Sequence, residues 1–167
     1  TSIEILETIK MADIIWTPSE YLGKRIEQVG TTATIHIIPN TLDLTQEQWQ
    51  QRKKPSKEIR FGYIGAIGHS RDISEIGYKF QDKTLYCVGL MDYAARLRAS
   101  HILNPVEINE YGKMYENFDV SLAPLQGGTF NKSKSALKVI EAGYTRTTII
   151  ASNTTPYKEI IKDGVNG

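Results

Sequence analysis

The 167-residue sequence has little of what marks several protein classes. Its single cysteine, Cys87, cannot form an internal disulfide, and the apolar run TLYCVGL around it favours a small buried side chain over a catalytic thiol. That usage fits a reducing compartment. No apolar run reaches the roughly 18 residues of a membrane-spanning helix. The opening TSIEILETIK does not have the pattern of a signal peptide.

Excess charge is also missing. Lys and Arg number 20 and Asp and Glu 19, which gives a formal net charge of +1. Nucleic-acid binding relies on a basic surface, so this balance gives no reason to expect a DNA or RNA partner. No group of acids has the spacing of a metal site, and we therefore predict none.

What the sequence does have is a regular alternation of short apolar runs and helical patterns. Apolar runs predict strands over 60–67, 84–90, 119–125 and 147–152, and helical patterns between them include residues 91–101 and 109–117. Around the second helix, Ile108, Tyr111, Met114 and Tyr115 have the spacing of core residues. Strands alternating with helices predict an α/β fold with a doubly wound parallel sheet.

The amino-terminal part predicts a separate βαβ unit. A helix is expected over 2–12, a strand over 13–19, a helix that begins after the N-cap Ser19 and stops at Gly30, and a strand over 33–40. Residues 44–58 are polar and basic, which indicates a linker or an exposed helix with Trp49 packed in a surface groove.

The stretch KSKSALKVIEAG predicts one helix over 132–143, which ends at Gly143. Its first turn is rich in hydrogen-bond donors, and a helix N-terminus attracts anions. Lys138 lies one turn beyond Lys134, and Glu141 one turn beyond Lys138. The pattern is compatible with a phosphate site and equally with a solvated basic face on an ordinary amphipathic helix.

The strand-to-loop sequence GYIGAIGHSRD places residues 69–72 just after the strand at 59–67, where open α/β sheets bind ligands. Its glycine spacing, Gly-x-x-Gly-x-x-Gly, is not the dinucleotide-binding fingerprint. Arg71 is the phosphate candidate on chemical grounds, because guanidinium binds phosphate through two hydrogen bonds. Two alternatives stay open: His69 as a plain loop residue, and Asp72 with Glu75 as a helix capping box.

These motifs together resemble a known family. KSALKVIEAG followed by TTIIASNTTPYKEIIKDGVNG is similar to the nucleotide-sugar-binding domain of GT-B glycosyltransferases, most of all the retaining, family-4-like enzymes (glycosyl transferases group 1). The positions that match the family pattern are Lys134, Ser135, Lys138, Glu141, Ala151, Ser152, Glu159, Asn166 and Gly167. A His-x-x-Asp form of the preceding glycine loop also occurs in the family and matches His69 and Asp72.

The resemblance implies the C-terminal half of a GT-B fold. Residues 1–39 would be the tail of the N-terminal acceptor domain, 40–58 the linker, and 59–167 a donor domain truncated at its carboxyl end. The implied activity moves a sugar from a nucleotide diphosphate sugar to a hydroxyl acceptor with retention, as in polysaccharide or glycoconjugate synthesis. The acceptor could be a sugar, a lipid-linked sugar or a protein. No cofactor or metal is implied, and the expected location is the cytoplasm or the cytoplasmic face of the membrane.

Site residues follow from the same resemblance. The candidate catalytic residues are Lys138, Glu141 and Arg71. The candidate contacts to the donor nucleotide diphosphate are Gly65, His69, Ser70, Lys134, Ser135, Lys138 and Glu141. In the family the matched glutamate binds the ribose hydroxyls, and backbone near 106–109 lies beside the base. Many members carry a first glutamate where this chain has Ser133, so the donor sugar is not implied.

Two other functions remain open at this point. One is a non-catalytic α/β module that binds a phosphate ligand or a protein partner, and the other is a sugar-phosphate isomerase of GT-B-like architecture. Because the resemblance places only the tail of the acceptor domain in this sequence, we expect these 167 residues alone to bind a nucleotide weakly and to transfer no sugar. The base, sugar, acceptor and linkage are not specified by the sequence.

Overall fold

The protein was analysed as a computed structural model. It describes residues 3–50, 53–65, 69–74, 76, 79–80, 82–89 and 91–167, without the side chains of residues 70 and 91–93. Within these residues the strands form two sheets, one with two strands and one with five, and all the pairings are parallel.

The two-stranded sheet belongs to the amino-terminal unit. This unit comprises α1 (Ile3–Met11), β1 (Ile14–Thr17), α2 (Glu20–Glu27) and β2 (Thr34–Ile37). Ser19 caps α2 by accepting a hydrogen bond from the Leu22 backbone N–H at 3.3 Å. The predicted βαβ unit is therefore confirmed, including its N-cap.

The five-stranded sheet carries the rest of the chain. Its strands are β3 (Arg60–Ile64), β4 (Thr84–Val88), β5 (His101–Leu103), β6 (Val120–Ala123) and β7 (Thr148–Ala151), in the spatial order β5-β4-β3-β6-β7. Its helices are α3 (Ser70–Ile73), α4 (Met91–Leu97), α5 (Thr129–Lys132) and α6 (Leu137–Tyr144), with 3-10 helices at Tyr111–Asn117 and Tyr157–Glu159. The doubly wound, Rossmann-like α/β sheet is as predicted.

A hydrophobic cluster packs on each face of this sheet. One joins Phe118, Leu125 and Val139 with buried tyrosines, and the other joins Tyr63, Leu85 and other side chains beneath α4. Phe118 is fully buried beside the central strand, and a Cβ at Gly62 would overlap its ring. The core can close this tightly only because residue 62 has no side chain.

The linker docks on the larger sheet. A 3-10 helix at Glu47–Trp49 places Trp49 edge-on to Tyr111, with ring centroids 6.4 Å apart. The backbone N–H of Gly112 donates to the Gln48 side chain at 2.9 Å. Trp49 is therefore buried, at 7% exposure, in contact with the 3-10 helix 111–117 and not merely laid in a surface groove.

Two helix predictions in the middle of the chain were wrong. The helix expected over 91–101 ends at Leu97, and His101–Leu103 instead forms β5, an edge strand paired to β4. Arg98 adopts a left-handed backbone (φ 50), which ends the helix. The helix expected over 109–117 is a 3-10 helix that begins at Tyr111, which leaves Ile108 82% exposed and outside the core.

The single helix predicted over 132–143 was also wrong. The chain forms α5 and α6 with a non-helical segment, 133–136, between them. Two hydrogen bonds from the amino-terminal part hold this segment: Ser19 Oγ donates to the Ser133 carbonyl, and Asn40 donates to Ser135 Oγ. Gly143 does not end α6, which runs to Tyr144 and is capped at Thr145.

Candidate functional site

The sheet order locates a crevice. From β3 the chain moves outward through β4 to β5, returns to β6 beside β3, and then continues outward to β7. The order therefore reverses between β3 and β6, and the loops that leave their carboxyl ends diverge to opposite sides. Ligands of open α/β sheets bind at such a point, and the candidate residues 65–72 and 134–141 follow these two strands.

The β3 side of the crevice starts with Gly65. Its N–H donates to the Val88 carbonyl, and its own carbonyl lies against Gly89, whose backbone (φ +133) suits glycine alone. Ser70 is the first residue of α3, and the side chain of Arg71 is exposed. Gly68 and Glu75 lie outside the described residues.

Asp72 does not cap a helix, since His69 holds the N-cap position of α3. The carboxylate is buried and bonds to other segments. Its Oδ2 lies 2.9 Å from His69 Nδ1, and its Oδ1 accepts from the Gln126 backbone N–H at 2.9 Å and from Asn131 Nδ2 at 2.7 Å. Burial raises the pKa of Asp72, but these hydrogen bonds and the charge of Lys134 together hold it below its usual value.

The β6 side contributes the segment between α5 and α6. Lys134 Nζ lies 3.6 Å from Asp72 Oδ2, 3.5 Å from His69 Nδ1 and 5.0 Å from the centroid of the Phe130 ring. Ser135 lies beside it, and its Oγ accepts a hydrogen bond from Asn40 at 2.9 Å. Lys134 and His69 thus meet above the Asp72 carboxylate, while Ser135 faces the amino-terminal part.

Lys138 lies in the first turn of α6, beneath this group. Its Nζ donates to the Ile64 carbonyl at 2.6 Å, at the carboxyl end of β3. Burial lowers the pKa of Lys138; Glu141 opposes that shift and Lys134 adds to it. The ammonium group therefore bridges α6 to the last residue of the central strand.

Glu141, one turn further along α6, is 4% exposed. Its Oε2 accepts hydrogen bonds from Tyr115 at 2.7 Å and Tyr111 at 3.2 Å. Burial raises the pKa of Glu141, and Lys138 and both tyrosine hydroxyls oppose the rise. The carboxylate points into the protein between α6 and the 3-10 helix 111–117, and its two tyrosine partners set its orientation.

Sequence reasoning missed several residues that organise this crevice. Tyr111 and Tyr115 were predicted as core residues from their spacing, but nothing in that spacing indicated hydroxyls aimed at Glu141, 30 and 26 residues away respectively. Asn131 was part of the glycine loop QGGTFN and had no assigned role. Its side chain joins Asp72 to the Gln126 carbonyl, 3.0 Å away.

The described surface also has several cavities, of which two bear on the candidate residues by their position. One of about 820 Å³ is lined by Trp49, Lys53, Arg146 and the carboxyl end of α6, at the sheet edge opposite the candidate residues. Lys53 Nζ is already bonded to the carbonyls of Tyr115 and Phe118. A smaller cavity of about 240 Å³ lies between Ser135 on one side and Pro39 and Asn40 on the other.

The described residues contain no group of three or more His, Cys, Asp or Glu side chains able to hold a metal ion. In the same part of the chain, every helix is too short or too polar to cross a membrane.

Comparison with known proteins identifies the fold. No protein-family model and no curated protein sequence matches the chain. Among solved structures it is similar to the apo form of the lipopolysaccharide outer core galactosyltransferase WaaB, with 16% sequence identity and a TM-score of 0.57. The match covers 93% of this chain and 48% of that one, so this chain spans about half the length of its structural neighbour. The likeness shows a GT-B type of fold.

Proposed function

We propose that the chain is the donor-binding part of a glycosyltransferase. In this proposal the crevice between β3 and β6 binds the nucleotide diphosphate of a sugar donor. The whole protein then moves the sugar to a hydroxyl acceptor with retention, as in polysaccharide or glycoconjugate synthesis. The observation that carries the proposal is that Lys134 and His69 lie together, and Lys138 bonds to the last residue of β3, at the point where the strand order reverses.

The charges there suit a diphosphate leaving group. Transfer of the sugar leaves negative charge on the diphosphate, and cations fixed in advance at that place lower the barrier. Lys134 comes from the segment before α6, and Lys138 lies in the first turn of that helix, near its partial positive charge. Arg71, exposed on α3, is an additional phosphate contact in this proposal, and Gly65 and Ser70 line the approach.

The ribose is assigned to Glu141. In the proposal the ribose hydroxyls donate hydrogen bonds to this carboxylate, and its 4% exposure means that the surrounding side chains must open a space for the ribose. The tyrosines bond to Oε2, and a bound ribose would bond to Oε1. The base would lie near residues 106–109, where Ile108 is exposed. Ser133 stands where a sugar-facing acid is common in the family, so the donor sugar stays open.

The acceptor side belongs to the whole protein. The amino-terminal unit leaves large apolar side chains exposed, among them Trp16 at 73% and Ile14 at 60%. A further part of an acceptor domain would cover them. Transfer requires the two domains to close on the reactants, so the 167 residues by themselves are expected to bind the donor and not to turn it over.

A thermal-shift panel tests the proposal. The chain would be heated with UDP, GDP, ADP or dTDP, with the matching nucleosides, and with sugar phosphates. A ligand at about 100 times its Kd stabilises by about 2.7 kcal/mol, a Tm rise of roughly 5–10 °C for a domain of this size. We expect one nucleoside diphosphate to raise the Tm clearly more than the matching nucleoside does. A shift with sugar phosphates alone would favour the isomerase, and no shift with any of them would contradict the proposal.

A further inference from the structure

Asp72 is a buried acid that the proposed donor contacts do not use. It is 3% exposed and sits in the short helix α3. Its carboxylate bonds to groups from two loops that are far apart in sequence: His69 on the β3 side, and Gln126 and Asn131 on the β6 side. Removing a carboxylate from water is unfavourable unless its oxygens are bonded, and here both oxygens are.

The partners of Asp72 are the groups that border the crevice. The Gln126 N–H and the Asn131 amide converge on Oδ1, which fixes the start of the glycine loop after β6. His69 Nδ1 and Lys134 Nζ lie 2.9 and 3.6 Å from Oδ2. One carboxylate thus sets the separation of the two loops and places a lysine and a histidine side by side.

The contact also sets the state of the histidine ring. Asp72 Oδ2 is nearer to His69 Nδ1 than Lys134 Nζ is, at 2.9 against 3.5 Å. A carboxylate kept ionised by its hydrogen bonds can only accept, so Nδ1 must carry the proton and donate it. The ring is then held with Nε2 on its far side.

We propose that Asp72 is a positioning residue that holds His69, Lys134 and the β6 loop in one fixed arrangement toward the diphosphate of the donor. The inference rests on the proposed function, since the ligand is the same. It adds that the phosphate contacts depend on Asp72, although a carboxylate repels phosphate. The hydrogen-bond partners of Asp72 and the charge of Lys134 lie between the carboxylate and the phosphate in this proposal. A purely structural Asp72 would support folding without affecting phosphate recognition.

The Asp72→Asn variant separates the two roles. The asparagine side chain has the same shape as aspartate, and its oxygen can still accept hydrogen bonds from Gln126 and Asn131. Its NH₂ group, however, would face His69 Nδ1, which must then act as a hydrogen-bond acceptor. The Asp82→Asn variant is the control, because Asp82 is exposed just before β4, at the opposite edge of the sheet. Both would be titrated by calorimetry with the best diphosphate of UDP, GDP, ADP and dTDP and with its nucleoside.

We expect Asp72→Asn to weaken diphosphate binding about tenfold or more while nucleoside binding changes less than twofold, and Asp82→Asn to change neither. Equal diphosphate binding by the wild type and a folded Asp72→Asn variant would overturn the inference. If the wild type binds no nucleotide at all, the proposed function itself fails, which is a different result.

A measurement on the wild type covers the case in which the variant does not fold. Nitrogen-15 NMR of the imidazole rings distinguishes the two tautomers, and a His69→Gln variant identifies the His69 signals among the three histidines. The neutral ring should carry its proton on Nδ1. A proton on Nε2 would show that the Asp72 contact does not orient the ring and would overturn the inference.

Discussion

The two units of the chain follow the same kind of βαβ pattern but bury very different numbers of their side chains. They are the amino-terminal unit, residues 3–40, and the five-stranded unit, residues 60–167. In the first unit Thr17 and Gly23 are the buried residues among those described, and α1 has none. The second unit holds two hydrophobic clusters with fully buried tyrosine, phenylalanine and leucine side chains. Amphipathic pattern alone therefore does not make a core; a sheet wide enough to carry helices on both faces does.

The difference has a consequence for function. The wider unit carries all of the candidate phosphate contacts, and the narrower one contributes Ser19 and Asn40, which bond to the segment 133–136. A stable scaffold is needed to hold charged side chains in fixed places. The contacts that the five-stranded unit makes within itself, such as Lys134 with Asp72 and Lys138 with Ile64, are therefore expected to persist when the amino-terminal unit is perturbed.

The largest expected effect comes from the core of the five-stranded unit. Phe118→Ala should destabilise the protein by about 3–5 kcal/mol, because it empties a fully buried site. The matched change in the other unit, Trp16→Ala, should cost less than about 0.5 kcal/mol, because Trp16 is 73% exposed. Urea unfolding of both variants measures this, and comparable losses would mean that Trp16 is buried in solution.

The next effect concerns Arg60 and Asp119, which pair at the start of β3. Arg60 is buried, and two of its nitrogens donate to the Asp119 carboxylate at 2.9 and 3.1 Å. Asp119→Asn should cost about 1–3 kcal/mol at neutral pH, since it leaves a buried guanidinium less well paired. The hydrogen bond from Arg60 is the main reason why the pKa of Asp119 lies below its usual value, although burial opposes it.

The contribution of Asp119 to stability depends on pH. A carboxyl whose pKa is lower in the folded state stabilises the fold above its unfolded pKa, about 3.9, and loses that contribution as the pH falls through the folded value. The stability gap between the wild type and Asp119→Asn should therefore be constant from pH 5 to 7 and shrink below about pH 4. A gap that widened on acidification would contradict the assignment.

A smaller effect is expected at the ribose. Glu141→Gln should weaken binding of the ribonucleoside diphosphate by about five- to tenfold, because the amide can still accept a hydrogen bond but no longer a charged one. The 2′,3′-dideoxy analogue should be almost unaffected, since it offers no hydroxyl to accept from. Calorimetry with both ligands checks this, and an equal loss for the two would show that Glu141 acts on the pocket only indirectly.

The smallest effect lies at the contact between the two units. Asn40→Ala removes the exposed hydrogen bond to Ser135 and should cost about 0.5–1 kcal/mol. Diphosphate affinity should stay within about twofold of the wild type, because Lys134 is also held by Asp72 and Lys138 bonds to the end of β3. A large loss of affinity, measured by the same titration, would show that the segment 133–136 depends on Asn40 for its conformation.

Local signals in the sequence were sufficient for part of this architecture. Ser19 was predicted as an N-cap because capping depends on residues three positions apart, and the strands at β3, β4, β6 and β7 were predicted because their apolar runs are continuous. The break at 133–136 was not predicted, and the partners of the hydrogen bonds to this segment, Ser19 and Asn40, lie 114 and 95 residues away in sequence. β5 is only three residues long, and half of Ile102 is exposed, so it lacks an apolar run.

For the candidate site, too, part could be predicted from the sequence and part could not. Sequence motifs pointed to His69, Lys134, Lys138 and Glu141, and their roles stay predictions. What sequence could not give is their arrangement: that Glu141 is enclosed by tyrosines, that Lys138 bonds to the end of β3, and that Asp72 joins the two loops. These depend on which segments the sheet order brings together, and no local pattern encodes that order.

The central claim is that the crevice between β3 and β6 recognises a diphosphate, and Lys138 tests it most directly. Calorimetric titration of Lys138→Ala should show diphosphate affinity lowered by about 1.5–3 kcal/mol, roughly 10- to 150-fold, while nucleoside affinity is nearly unchanged. The control is Lys83→Ala, which removes an exposed lysine at the opposite edge of the sheet and should change neither. Equal losses for nucleoside and diphosphate in a folded Lys138→Ala variant would contradict the claim.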